Sequence, residues 1–270
     1  MPATATAIEK EEKLFEILRG FGRVAIGYSG GVDSSMLVVA AIKALGAANV
    51  LAVLADSPSL PRSELASALA LAERLGVECL AINPGELADP DYAANPRNRC
   101  YICKKRIFSL IAKTAAERGI AAVLDGNNLD DEGDYRPGRQ AAKELGIRSP
   151  LLEAGLTKAE IRAISADWGL PTADKPAMAC LASRIPYGTR ITAELLLQID
   201  AAEAALKAEG FAHCRVRHHG EVARIEVPSA DIARLASDEA TRERIAAAIK
   251  SAGYKFAALD MLGYKMGGMN

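Results

Sequence analysis

The sequence predicts an α/β fold: a parallel sheet with helices on both faces, followed by a smaller α+β unit. Three observations predict it. Short apolar runs alternate with helix-period segments through the first half of the chain. A glycine pair sits where the first apolar run gives way to the first of those segments. Beyond residue 191 the alternation stops, and a helix, a strand pair, two helices and a last strand follow instead.

The elements can be justified in order. "RVAIGYS" (23–29) is a short, continuous apolar run and predicts a buried strand. "DSSMLVVAAIKALG" (33–46) has helical spacing and ends on Gly46. "NVLAVLAD" (49–56) predicts a second strand, and "PRSELASALALAERLG" (61–76) a helix bounded by Pro61 and Gly76. "ECLAINPG" (78–85) predicts a third strand, "KKRIFSLIAKTAAERG" (104–119) a helix and "AAVLDGN" (121–127) a fourth strand. Residues 171–191 are rich in Pro, Ala and Gly without a period, and read as a long functional loop and linker. A helix near 192–209, a strand pair within 213–227, helices near 229–236 and 238–252 and a strand within 255–261 complete the chain. The domain organisation expected is 1–170, then the linker 171–191, then 192–270.

Composition narrows the function. Half of the 270 residues are hydrophobic and a quarter charged, as in ordinary globular proteins. Lys and Arg number 33 against 34 Asp and Glu, so the basic excess usual in nucleic-acid binders is missing overall. No apolar run is long enough to span a bilayer, and the N-terminal stretch lacks a secretory signal pattern. Five cysteines, an odd number, argue against a disulfide framework and for a reducing cytoplasm.

The sharpest motif is "YSGGVDSS" (28–35). Gly30 and Gly31 let backbone approach an anion, and the following helix start offers unpaired N–H groups. Ser29, Ser34 and Ser35 can donate to phosphate oxygens, and Asp33 can hold Mg²⁺. The loop has no lysine and is not a Walker A sequence. The plainer reading is a tight strand–helix turn with Asp33 as cap. The run Ser-Gly-Gly-x-Asp-Ser resembles the PP-loop of the ATP pyrophosphatase superfamily. That resemblance implies ATP binding and adenylation of an oxygen, with further nucleotide contacts at Asp56 and Ser57 after the second strand and at Gly126, Asn127 and Asp130 after the fourth. Lys105, Arg136 and Arg139 are candidate phosphate contacts, against the plainer reading of solvent-exposed cations.

"RCYICKKR" (99–106) places Cys100 and Cys103 three apart, just before the predicted helix and beside Lys104, Lys105 and Arg106. Helix starts and cations favour thiolates. With Cys180, three thiolates can hold three irons of a [4Fe–4S] cluster. A structural zinc site and a redox dithiol are the competing readings. Cys79 and Cys214 read as small packing residues.

At "CLASRIPYGTRIT" (180–192), "RVRHHGEVARIEV" (215–227) and "ALDMLGYKMGGMN" (258–270) the chain resembles the LarE family, the ATP-dependent sulfur transferases of nickel-pincer nucleotide biosynthesis. The resemblance implies adenylation of the carboxylates of pyridinium-3,5-biscarboxylic acid mononucleotide and replacement of AMP by sulfur. It makes Cys180 the sulfur-bearing residue. Some members sacrifice that lone cysteine to dehydroalanine. Cys100 and Cys103 set this chain apart and match a subset that uses three cysteines for a cluster, supplied by sulfide or a sulfur donor. Arg215 and Arg217 match arginines holding the substrate phosphate, against the plainer reading of a solvated strand face. Ser183 and Arg184 are expected to line the same pocket. Glu203 and Asp231 are further candidates for a metal or substrate role, against the reading as surface carboxylates on helices. A homo-oligomer is implied, and no nucleic acid or membrane partner. The competing functions are a tRNA thiolase, an ammonia-using amidating synthetase and a non-enzymatic nucleotide or iron–sulfur binder.

Overall fold

The computed structural model describes residues 5–131 and 137–264. In chain order the elements are α1 (Ala5–Arg19), β1 (Val24–Tyr28), α2 (Val32–Leu45), β2 (Val50–Ala55), α3 (Arg62–Arg74), β3 (Glu78–Ile82), α4 (Pro90–Ala93), α5 (Arg99–Glu117), β4 (Ala122–Leu124), α6 (Pro137–Glu144), α7 (Pro150–Glu153), α8 (Lys158–Asp167), α9 (Ala193–Ala208), β5 (Arg215–His219), β6 (Val222–Glu226), α10 (Ser229–Ser237), α11 (Glu239–Ser251) and β7 (Phe256–Leu259). They fall into two compact units. The first comprises the described residues within 1–57, 63–86 and 98–178; the second gathers those within 58–62, 87–97 and 179–270.

The first unit is built on a parallel sheet of order β3-β2-β1-β4. β1 and β2 lie inside it and are buried almost throughout, which is why their sequences are apolar on both faces. The chain runs outward from β1 to β2 and β3, then α5 carries it back to the other side of β1, where β4 pairs Val24 with Ala122. Strand order therefore reverses between β1 and β4, and ligand crevices of such sheets open at the carboxyl ends beside that reversal. Ala25, Leu51, Val53, Ile82, Phe108, Ile111 and Val123 form the core under α5. On α1, not predicted from the sequence, Leu14 and Leu18 are fully buried.

α5 begins at Arg99 rather than near 104, so Cys100 and Cys103 stand on its first turns instead of before it. Tyr101 N and Ile102 N donate to Asn98 O, which closes the helix one turn earlier than the apolar period alone suggests.

The second unit contains a three-stranded sheet of order β5-β6-β7, antiparallel between β5 and β6 and parallel between β6 and β7. Leu206, Phe211, Val216, Ile225, Val227, Leu235, Ile245 and Ile249 fill its core. No helix among the described residues is long and apolar enough to cross a membrane.

Candidate active site

In the first unit the site residues collect at the carboxyl ends of β1 and β4. Gly30 has φ +67, and a Cβ there would lie 2.6 Å from Cβ of Ala68. Only glycine combines that backbone with that approach to α3. Ser29 N and Ser29 Oγ lie 3.2 and 3.1 Å from Ser34 Oγ, closing the loop on itself. Gly31 precedes α2, and Ser29 is exposed at the loop, whereas Ser35 is fully buried.

Gly126 lets the turn after β4 touch the start of α2: a Cβ there would stand 3.0 Å from Ser34 N. Asn128 Nδ2 donates to Asp33 Oδ1 at 3.2 Å, and the Lys158 ammonium pairs with Asp33 Oδ2. Asp33 is thus held from two sides. Asp130 accepts from Lys158 N at 2.8 Å and so anchors the start of α8. A capping box makes that start: Thr157 Oγ1 accepts from Glu160 N, and Glu160 accepts from Thr157 N.

Asp125 is buried, and desolvation pushes its carboxyl up from the usual range. Ser149 Oγ at 2.7 Å and Asn127 N at 3.1 Å oppose the shift. Asn127 also donates from its side chain to Asp125 at 2.6 Å. At the end of β2, Asp56 N donates to Ile82 O at 2.8 Å, and Ser57 donates to the wholly buried Glu86. Lys105 is exposed and engaged with Tyr101 and Glu144. Arg139 donates to Asp131 O at 2.5 Å. Arg136 lies outside the described residues.

The residues missed in the sequence are two lysines. The loop carries none, yet Lys158 reaches Asp33, and Lys175 donates to Gly30 O at 2.9 Å and lies 2.6 Å from Glu64. The Thr-x-x-Glu capping signature at 157–160 was a sequence signal for the first. Nothing in the local pattern around 175 signalled the second.

In the second unit hydrogen bonds tie Arg184 to Cys180, Ser183 and Glu203, and Arg217 to Ser183, whereas Arg215 contacts Cys214 O and the Tyr264 ring. Cys180 is exposed and caps the short helix Leu181–Arg184. Arg184, 1 % exposed, turns inward. Its Nη1 donates to Ala179 O, Cys180 O and Ser183 Oγ at 2.7, 3.0 and 3.0 Å. Its Nε and Nη2 fork onto Glu203 at 2.8 and 3.0 Å. Arg184 therefore clamps the backbone beside the thiol and does not present a guanidinium to solvent.

Glu203 is not the surface carboxylate expected as its plainer reading. It falls on the buried stripe of Leu196, Ile199 and Leu206, and it accepts from Val216 N at 3.0 Å. Arg217 is buried as well, paired with Glu226 at 3.0 Å and donating to Ser183 O at 3.0 Å. Arg215 is half-buried, donates to Cys214 O and lies over the Tyr264 ring. Asp231 pairs with Arg234 one helical turn on, at 3.5 Å. Burial pushes the Cys214 thiol up to about 12 and raises that of Cys79, so neither is a ready nucleophile.

Among the described residues no group of three or more His, Cys, Asp or Glu side chains is gathered to hold a metal ion. Cys100, exposed, and Cys103, half-buried, belong to the first unit, and Cys180 to the second.

A glycine loop between β1 and α2, facing a second turn after β4, is the arrangement that the resemblance to the ATP pyrophosphatase PP-loop implies for a nucleotide-binding α/β protein. Comparison with known proteins agrees. The NAD synthase family profile matches residues 13–91. An uncharacterized protein of Synechocystis is 43 % identical over 96 % of this chain and 97 % of its own length. The pyridinium-3,5-bisthiocarboxylic acid mononucleotide synthase of Lactiplantibacillus plantarum is 38 % identical over 98 % of this chain and 95 % of its own. An uncharacterized protein of Methanocaldococcus jannaschii is 26 % identical over 90 % of this chain. The chain belongs to the family of that synthase, the LarE family.

Proposed function

We propose that the protein is an ATP-dependent sulfurtransferase that converts the carboxylates of pyridinium-3,5-biscarboxylic acid mononucleotide to thiocarboxylates. The observation that carries this reading is the 38 % identity, over nearly the full length of both chains, to a synthase named for that product. The loop at Ser29–Ser35 supports the first half-reaction. Its backbone N–H groups and hydroxyls receive the pyrophosphate portion of ATP. Asp33 is suited to hold Mg²⁺ once Lys158 yields its oxygen. Asp56, Ser57, Gly126, Asn127 and Asp130, at or just beyond the neighbouring strand ends, frame the nucleotide.

A substrate carboxylate oxygen attacks the α-phosphorus, and pyrophosphate leaves with the electron pair of the broken bond. In the second half-reaction sulfur attacks the acyl carbon and AMP leaves. Cys180 is the residue proposed to carry that sulfur: its thiol is exposed while Arg184 fixes the backbone on either side of it. Arg215 and Arg217 are proposed to receive the substrate phosphate, with Ser183, Arg184 and Glu203 shaping the loop around them. Asp231 remains a candidate at the edge of this set. By this reading nucleotide chemistry belongs to residues 1–170, the functional loop to 171–191, and substrate binding and self-association to 192–270.

The cysteines fit an iron–sulfur cluster in kind. Three residues apart on a helix, Cys100 and Cys103 share one face of α5, and thiolates are the ligands such clusters take. Cys180 is the third cysteine that the family resemblance assigns to such a cluster. Bound there, the cluster would supply a sulfur store that sulfide or a sulfur donor can replenish. The proposed setting is the reducing cytoplasm, and the assembly a homo-oligomer; Phe256, Met261 and Leu262, exposed near the chain's end, suit self-association.

The test is anaerobic purification with iron and sulfide analysis, followed by reaction with Mg·ATP and the dicarboxylate mononucleotide. Pyrophosphate and a thiocarboxylate product are expected together. Pyrophosphate without sulfur transfer sinks the sulfurtransferase reading. Absence of iron, with one sulfur lost from Cys180 by protein mass, replaces the cluster by sacrificial donation.

A further inference from the structure

We propose that Lys175 supplies the cation the phosphate loop lacks, contacting the pyrophosphate portion of the nucleotide as the α–β bond breaks. The inference rests on the ATP-dependent reading above and assigns one residue of that site.

Four observations carry it. The loop from Ser29 to Ser35 contains no basic residue, although it must hold a highly charged anion. The Lys175 ammonium is already at the loop, 2.9 Å from Gly30 O, with its side chain one-fifth exposed. An ammonium has three donors. Among the described residues Gly30 O and Glu64 engage two, which leaves the third for a ligand. Finally, the main chain that presents Lys175 is itself clamped. Arg162 on α8 donates to Ala173 O at 2.5 Å and to Lys175 O at 2.8 Å, and Lys175 N donates to Thr172 O at 3.0 Å. A surface latch needs no such fixing of its backbone; a group that must meet a phosphate within a few tenths of an ångström does.

Glu64, in the first turn of α3, has a place in this scheme. It balances the ammonium while the loop is empty and holds it at Gly30. A nucleotide polyphosphate carries more negative charge than one carboxylate and competes for the same cation. Lys158 serves Asp33 and is not the equivalent group. In the chemical step no proton moves through Lys175. The substrate oxygen bonds to the α-phosphorus, the bridging α–β bond breaks, and the charge that develops on the departing pyrophosphate falls beside the ammonium. Electrostatic contacts of this kind are worth about 100- to 1,000-fold in rate.

The experiment measures Mg·ATP binding calorimetrically and pyrophosphate release in a single turnover with the dicarboxylate mononucleotide, using the full chain. Lys175→Met is expected to slow pyrophosphate release about 100-fold, with the single-turnover rate falling further than the Kd for Mg·ATP rises, and Lys175→Arg to recover most of the rate. Glu64→Gln is expected to release pyrophosphate at least as fast as the unaltered protein, because the ammonium loses a competitor. A purely structural latch predicts the opposite, with Glu64→Gln failing as Lys175→Met does. That result overturns the proposal, and so does a normal rate in Lys175→Met. If the unaltered protein binds Mg·ATP and releases pyrophosphate while Lys175→Met matches it, only this inference falls. If the unaltered protein binds no Mg·ATP, the enclosing reading falls with it.

Discussion

The two adjacent glycines of the phosphate loop are chemically alike and structurally different. Gly30 occupies a left-handed backbone position, and a Cβ there would collide with Ala68. Gly31 has φ −84 and ψ 171, and its nearest neighbour to a Cβ is Ser29 Oγ at 3.4 Å. Gly30→Ala therefore combines backbone strain with a clash and is expected to destabilise the first unit by about 1–3 kcal/mol and to weaken Mg·ATP binding. Gly31→Ala is expected to change stability by less than about 0.5 kcal/mol. Urea unfolding of the pair measures the contrast; equal losses would show that the loop's shape does not depend on Gly30. The sequence showed two glycines beside a helix start and could not rank them, because the ranking is set by α3, a neighbour almost forty residues on.

At the scale of elements, the strands of the first unit were legible because burial on both faces leaves continuous apolar runs, as in "VLAVLA" of β2. What was not legible came from places where a polar residue decides the structure. Periodicity alone places the start of α5 too late, because Arg99, Cys100 and Cys103 carry no apolar period, yet the helix closes on Asn98. Lys175 reaches the loop from an irregular stretch with no periodicity to read. The charge of Glu203 leaves a metal or substrate role and a surface carboxylate as the readings its sequence offers, although its spacing from Ile199 and Leu206 puts it on the inner stripe of α9.

That buried carboxylate makes α9 answerable to its partners. Arg184 and Glu203 are both almost wholly buried, and Glu203 additionally caps Val216 N at the start of β5. Removing one member of a buried pair strands the other without water or counter-charge. Glu203→Ala is expected to cost about 3–5 kcal/mol and to loosen the backbone at Ala179 and Cys180 that Arg184 holds. Chemical denaturation reads the first effect, and the rate of Cys180 alkylation by a thiol reagent reads the second. A Glu203→Ala protein with unchanged stability and unchanged Cys180 alkylation would remove the clamp from the account.

Across the whole molecule, net charge is −1, so net charge neither attracts nor repels an anionic ligand, and recognition falls to local groups. The same near-balance means that acid sensitivity comes from particular side chains rather than from general self-repulsion. Two of these are adjacent histidines of β5. Burial, and then His219, hold His218 below the ordinary 6.5, and burial also lowers His219, with Arg224 adding to it. Among the described residues the buried Nδ1 of His218 has no hydrogen-bond partner, nor has the buried hydroxyl of Tyr254, against whose ring the imidazole lies at 5.8 Å between centroids. A depressed folded-state pKa means the unfolded chain binds protons first. The stability these groups contribute is complete above about 6.5 and is lost as pH falls through their lower folded values. The carboxylates whose values are lowered, Glu144, Glu153, Glu160, Glu194, Glu209 and Asp238, start from 4.5 or 3.8, so their losses come at more acid pH and can be told apart. Urea midpoints measured between pH 7.5 and 5 are expected to decline, and His218→Phe, which keeps an aromatic ring against Tyr254, is expected to flatten that decline while leaving the fall below pH 4.5 in place. An unaltered slope between pH 7.5 and 5 in His218→Phe would show that the buried imidazole does not couple folding of the second unit to protons.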